Sequence, residues 1–303
     1  MRGPVRTTET AAIEGTYVSP VGRRTLRVFG IPFLRGRYFA GVCLLVVVVV
    51  ASVIGPLVVG HSPDAQDLTA RLLPPISGEH LLGTDALGRD LLARILAGGR
   101  LSLFVGFTGA ALAATIGVLV GLIAGFREGR LGTIAMGIVD AQLAFPFILL
   151  AIVFVATLGA SLPMVIVVLA LSSWVSFARP IHAMALSIKH RDYVLAARSI
   201  GATDATILRR HLLPHVLPTA VVIATIQVAH IVLFESALSF LGMGVPVDIP
   251  TWGAMLSDSR RYLQIAPWIS IFPGVALVTT VFGMSLVGDW MREALDPRRE
   301  QHE

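Results

Sequence analysis

The chain has 303 residues, of which 55% are hydrophobic and only 14% charged, against about 25% charged in an average soluble domain; an ordinary soluble globular protein is excluded. Cys43 is the only cysteine, which excludes an intrachain disulfide and a Cys-rich metal site. Lys189 is the only lysine and follows Ile188, so no phosphate-cradling G-x-x-x-x-G-K-[ST] loop exists and ATP binding by that route is excluded. The net charge of +5 fits basic residues marking one side of a membrane better than a nucleic-acid surface.

Residues 1–37 form a polar, Arg-bearing N-terminal tail with little sign of order. Apolar runs long enough to cross a bilayer as helices then fall at 38–60, 101–126, 134–156, 160–178, 216–238 and 267–289. The first lacks a small-residue cleavage site and reads as a retained span. An all-α, six-span membrane protein follows. With the N-terminus cytoplasmic, the inside segments hold 18 Lys and Arg and the outside segments hold 6. The positive-inside rule therefore places both termini, and the tail 291–303, in the cytoplasm.

Between the first two spans, 61–100 is an outside segment. Its stretch from Leu87 to Leu96 reads as an amphipathic helix ended by Gly98-Gly99, with Thr84 and Asp85 in capping positions. Gly117, Gly121 and Gly125 form a stripe for close helix packing. Asp140 lies about 10 Å into the third span at 1.5 Å per residue, and Pro146 is expected to kink that span. Gln227, His230 and Glu235 follow along the fifth. Charges at such depth face a bundle interior or an aqueous path; lining of a translocation path and structural pairing both account for them. In the outside loop 239–266 and just past it, Trp252 and Trp268 suit interface anchors.

The polar stretch 191–218 is the most punctuated. Tyr193, Ala196, Ala197 and Ile200 share one helical face, and Gly201 suits a left-handed helix stop. Thr203 and Asp204 suit the start of a second short helix. Its face is Ile207, Leu208, His211 and Leu212, Pro214 ends it, and Pro218 opens the next span. Two short helices at the cytoplasmic surface are expected.

The A-A-x-x-x-G … x-L-P arrangement at Ala196, Ala197, Gly201, Leu213 and Pro214 resembles the coupling loop of ABC-importer permeases. Leu195 stands where that family usually has Glu, and His211 where it usually has Ile. The blocks at 80–103, 139–152, 235–256 and 288–298 resemble the C-type permease subunit of the dipeptide, oligopeptide and nickel group, in the same order. The resemblance implies a type I ABC-importer permease fold, with a five-helix core over 101–290 that includes coupling helices at 191–214. It also implies coupling to an ATPase through Ala196, Ala197, Gly201, Ala202, Asp204, Leu213 and Pro214.

The partners it implies are a second homologous permease subunit, cytoplasmic ATP-binding subunits and an extracytoplasmic solute-binding protein, in the bacterial inner membrane. The chain itself would be no enzyme, with no cofactor or metal. Peptides are the expected cargo, with nickel or another small solute as the alternative within the group. The rival of another class is a proton-coupled secondary transporter using Asp140 and Glu235. An intramembrane hydrolase ranks behind it, since neither G-x-S-x-G nor H-E-x-x-H occurs.

Overall fold

The computed structural model describes residues 36–127, 129–246 and 249–295. The expected N-terminal tail up to residue 35, and the C-terminal tail from 296 on, lie outside the described residues. Eleven α-helices are described, and no named strand occurs among these residues. Five helical stretches are long and apolar enough to cross a membrane, and a bent pair makes a sixth.

The first helix, α1, is Gly36–Val58. Its valine-rich side stands exposed at Val46, Val47, Val50 and Val53, as a lipid-facing surface should. Gly41 takes the side chain of Leu286, and Tyr38 donates a hydrogen bond to Glu293, so both ends of the chain's membrane part meet.

Helix α2, Leu91–Phe126, is a single helix of 36 residues. This corrects two expectations. Asp90 is the residue that caps it, accepting from the Ala93 N–H at 2.7 Å. Gly98-Gly99 do not end it. The helix runs through both, and at Gly99 the neighbours come too close for a side chain: a Cβ there would lie 2.4 Å from Ser52 Oγ and 2.6 Å from the Trp252 ring.

The third expected span is two helices, α3 (Arg130–Leu143) and α4 (Phe147–Leu158), bent by 94° at their break. Pro146 therefore breaks the span rather than kinking it. It cannot donate its N–H to the helix, and it serves as the residue before α4.

Helices α5 (Leu162–Ser173) and α6 (Val175–Ile188) run on as one stretch, ten residues past the expected end at 178. Helix α7 is Asp192–Ser199 and α8 is Asp204–Ile207. A π-helical turn, Leu208–Leu212, joins α8 directly to α9, Leu213–Phe240. Helix α10 (Trp252–Ser259) lies over the opposite end of the bundle, and α11 (Trp268–Ala294) closes the fold.

At the centre, α2 packs against α6, α9 and α1. The glycine stripe makes the α2–α6 contact possible: a Cβ on Gly117, Gly121 or Gly125 would sit 2.4, 2.6 or 2.7 Å from carbonyl oxygens of Trp174, Ala178 and His182 respectively. Backbone meets backbone there, as expected of such stripes.

Candidate functional site: a lever at one end of the bundle and charges inside it

The α7 helix ends at Gly201, whose φ is +86°. Gly201 N–H donates to the Arg198 carbonyl at 3.0 Å, and Ala202 N–H to the Ala197 carbonyl at 3.0 Å. This bond pair is the glycine-based Schellman stop. Thr203 then caps α8 by accepting from the Thr206 N–H at 3.3 Å. Both expected helices therefore form, with the glycine stop and the hydroxyl cap in the expected places.

Two details of this segment differ from expectation. The side of α7 turned to the protein is Val194 and Ala197, which are buried, whereas Tyr193, Leu195 and Ile200 are exposed. Ala196 is exposed beside them. Val194 joins a small core with Ile207, Leu212 and Val216 from the following helices and Phe126 and Ile188 from α2 and α6. Pro214 does not stop the second helix. Leu213 N–H reaches back five residues to the Leu208 carbonyl, so a π turn absorbs the irregularity that the proline creates. The helical stretch from Asp204 to Phe240 therefore spans 37 residues, about 55 Å at 1.5 Å per residue.

His211 has a structural part to play. Tyr193 on α7 lies between His211 and His215, with ring centroids 5.9 and 5.8 Å away. The His215 Nδ1–H donates to the His211 carbonyl at 2.8 Å. These rings fasten α7 to the start of α9, with the Val194 core on its other side. Lys189, at the end of α6, donates to the Gly125 carbonyl at 2.9 Å and ties in the end of α2. Arg198 stacks over Phe126, 5.4 Å from its centroid. Asp204, Arg209 and Arg210 remain exposed.

The four intramembrane polar residues are not gathered into one site. Glu235 is fully buried on α9. Ser239 donates to its Oε1 at 2.8 Å, and the Ser236 and Ser102 hydroxyls lie 3.4 and 3.5 Å from Oε2. Ser102 also accepts from the Trp252 N–H at 3.3 Å, so this knot joins α2, α9 and α10. Gln227 is buried, while His230 is exposed with its ring 6.3 Å from Phe234. Asp140 forms an ion pair with Arg179 on α6. Sequence reasoning missed Arg179 because it set the span's end at residue 178. Pro180, directly after Arg179, reads as a stop in sequence, yet α6 runs through it to Ile188.

At the other end of the bundle, the polar groups of residues 83–90, GTDALGRD, are taken up within their own loop. Asp85 accepts from the Leu87 and Arg89 N–H groups and from the Arg89 side chain at 2.8, 3.0 and 2.7 Å. Thr84 Oγ1 accepts from the Leu73 N–H at 2.9 Å. Gly88 has φ +72°, and a Cβ there would lie 1.7 Å from the Asp67 carbonyl oxygen. So Thr84 and Asp85 tie the loop down and do not cap a helix. Trp252 is likewise no interface anchor: it is 1% exposed and donates from Nε1 to the Ile95 carbonyl at 3.0 Å. Between this loop and α10 lies a cavity of about 720 Å³ lined by Asp85, Arg89, Asp258, Arg260, Arg261 and Tyr262 among others. Burial pushes the Asp258 carboxyl above its ordinary value, opposed by the guanidinium groups of Arg94 and Arg89.

Comparison with known proteins agrees with this architecture. A peptide transport system permease, so described with the qualifier "putative", from Brucella suis is 39% identical over 96% of this chain and 98% of its own length. The oligopeptide transport system permease protein OppC of Bacillus subtilis is 33% identical over 96% of each chain. The glutathione transport system permease protein GsiD of Pectobacterium atrosepticum is 43% identical over 73% of this chain and 74% of its own. Among solved structures, inward-facing forms of the MetNI methionine ABC transporter align with TM-scores of 0.54 and 0.52. They are 25% and 24% identical, and cover 67% of this chain and 96–97% of theirs. The type I ABC-importer permease fold expected from the sequence is thus present. The family described as "binding-protein-dependent transport system inner membrane component" matches residues 117–301, and this chain belongs to it.

Proposed function

We propose that this permease carries peptides and that 191–214 is where an ATP-binding subunit pushes on it. Residues Ala196, Ala197, Gly201, Ala202, Asp204, Leu213 and Pro214 would form the coupling element. One observation carries this reading above the others: α8, the π turn and α9 form one continuous helical stretch. A displacement applied at Asp204 is delivered along a rigid rod to Glu235 and α10. Leu195 on α7 and Ile200 at its stop are exposed and offer apolar contacts to the pushing subunit.

Peptide cargo is supported by several relatives, which are named as permeases for peptides, dipeptides, oligopeptides and glutathione. The charge asymmetry supports an orientation with both termini and α7–α8 in the cytoplasm and the 61–90 loop outside. A second permease chain, ATP-binding subunits and an external solute-binding protein complete the transporter. The proton-coupled alternative loses its basis, since Asp140 is salt-bridged to Arg179 and Glu235 is tied up by serine hydroxyls.

The test uses the chain co-purified with its partner subunits and reconstituted in vesicles with the binding protein. Gly201→Pro cannot adopt φ +86°, and a Gly/Ser tract over 195–201 removes α7. Both variants are expected to lose peptide uptake while the ATP-binding subunits no longer respond to the loaded binding protein. Normal uptake driven by ATP in either variant refutes the coupling role.

A further inference from the structure

The Asp140–Arg179 pair is placed where two opposite charges have no structural need to be. Helices α3 and α6 both meet the same end of α2. A Cβ on Gly132 of α3 would touch the Ala124 carbonyl oxygen, and Lys189 at the end of α6 donates to the Gly125 carbonyl. Counted from that end, Asp140 is ten residues into α3 and Arg179 ten residues back from Lys189. Each therefore lies about 15 Å in. The α5–α6 stretch of 27 residues is about 40 Å long against a hydrocarbon core of about 30 Å. With the surplus shared between its ends, the pair lies inside the core.

Both side chains are nevertheless 60% exposed in this chain. Charged groups at that depth do not face lipid. A second observation points the same way. The break between α3 and α4, Ala144–Pro146, is exposed, and irregular backbone at membrane depth occurs only where it is covered by protein or lines a water-filled cavity. The break is also held rigidly. Gln142 Nε2 donates to the carbonyl oxygens of Leu171 and Ser172 at 2.8 and 3.2 Å, and the Trp174 Nε1–H donates to Gln142 Oε1 at 2.8 Å. A fixed, charged, uncovered surface beside a helix break is what an aqueous path requires.

We propose that Arg179 and Asp140 form a charge-recognition point on the translocation path, at which Arg179 receives the carboxylate of a zwitterionic cargo and Asp140 its ammonium group. This rests on the peptide-carrying reading above. The pair's contact engages Nη2 and Oδ1, while a guanidinium presents five N–H donors in a fork suited to carboxylates and Asp keeps a second oxygen. The two side chains match the two ends of a short peptide. Mutual pairing in the empty path keeps both charges neutralised between passages.

The test measures initial uptake by the reconstituted complex of an unmodified dipeptide and of its C-terminal amide, each saturating the binding protein. The wild type is expected to favour the unmodified peptide. Arg179→Gln should lower its uptake about ten-fold, the scale of one charge-assisted hydrogen bond, and leave the amide within about two-fold, erasing the preference. Asp140→Asn should lower uptake of the unmodified peptide more than of its N-acetyl analogue. The proposal is overturned if the wild type treats the peptides alike, or if Arg179→Gln slows both equally. It is also overturned if Arg179→Gln with Asp140→Asn, which removes both charges, keeps the wild-type preference for the unmodified peptide. A wild-type complex that takes up another solute but no peptide sinks the cargo reading itself, and this proposal with it.

Discussion

At Glu235 a charge on an apolar helix is open to two readings, path lining and structural pairing, and its hydroxyl partners and the overlying α10 favour a fastening point. Glu235→Ala would leave the Ser239 and Ser102 hydroxyls without their acceptor and open a void. A loss of about 2–4 kcal/mol is expected, read as a lower thermal unfolding midpoint in detergent. Glu235→Gln keeps an acceptor oxygen and should cost less than half of that; if it leaves stability intact yet alters uptake across pH, the fastening role is wrong. Gly201 and Thr203 were legible because a glycine stop and a hydroxyl cap are local chemistry, decided within a few residues. The buried face of α7 was not legible. That helix carries apolar or small side chains at Tyr193, Val194, Leu195, Ala196, Ala197 and Ile200, so almost any face would qualify, and the Val194–Ile207–Leu212 core picks one.

Elements succeed or fail here through their neighbours. The stripe Gly117, Gly121, Gly125 was readable because four-residue spacing aligns on a helix whatever surrounds it. Gly121→Leu would drive its Cβ against the Ala178 carbonyl oxygen, 2.6 Å away. It should destabilise by about 3 kcal/mol or more, whereas Gly137→Ala, which meets nothing within 4 Å, should leave the unfolding midpoint nearly unchanged. Gly98-Gly99 looked like a helix stop for the same local reason and is not one; contact with Ser52 and Trp252 makes glycine necessary at Gly99 inside a continuous helix. Pro214 is the matching case: a proline reads as a breaker, and the π turn before it keeps α8 joined to α9. Inserting Gly-Gly between Leu212 and Leu213 should cut that rod. The ATP-binding subunits are then expected to stay bound in pull-down while peptide uptake falls away; undiminished uptake would show that α8–α9 continuity is not the transmission route.

For the whole molecule, the proposed orientation rests on the distribution of arginines and can be checked directly. In a Cys43→Ser background, Ile200→Cys should react with a membrane-impermeant maleimide only in inside-out vesicles. Glu79→Cys, on the 61–90 loop with its side chain 88% exposed, should react only in right-side-out ones. The reverse pattern would invert the topology and place α7–α8 on the wrong face for an ATPase. The all-α membrane fold, the family and the two short helices within 191–214 were readable from the residues alone, because apolar length, glycine punctuation and hydroxyl caps act locally or as simple sums. The 94° break, the unbroken rod from Asp204 to Phe240, the buried fastening of Glu235 and the meeting of Asp140 with Arg179 were decided only in three dimensions. Each depends on residues far apart in sequence, and no local rule says which helix will arrive to satisfy a freed backbone group or a charge.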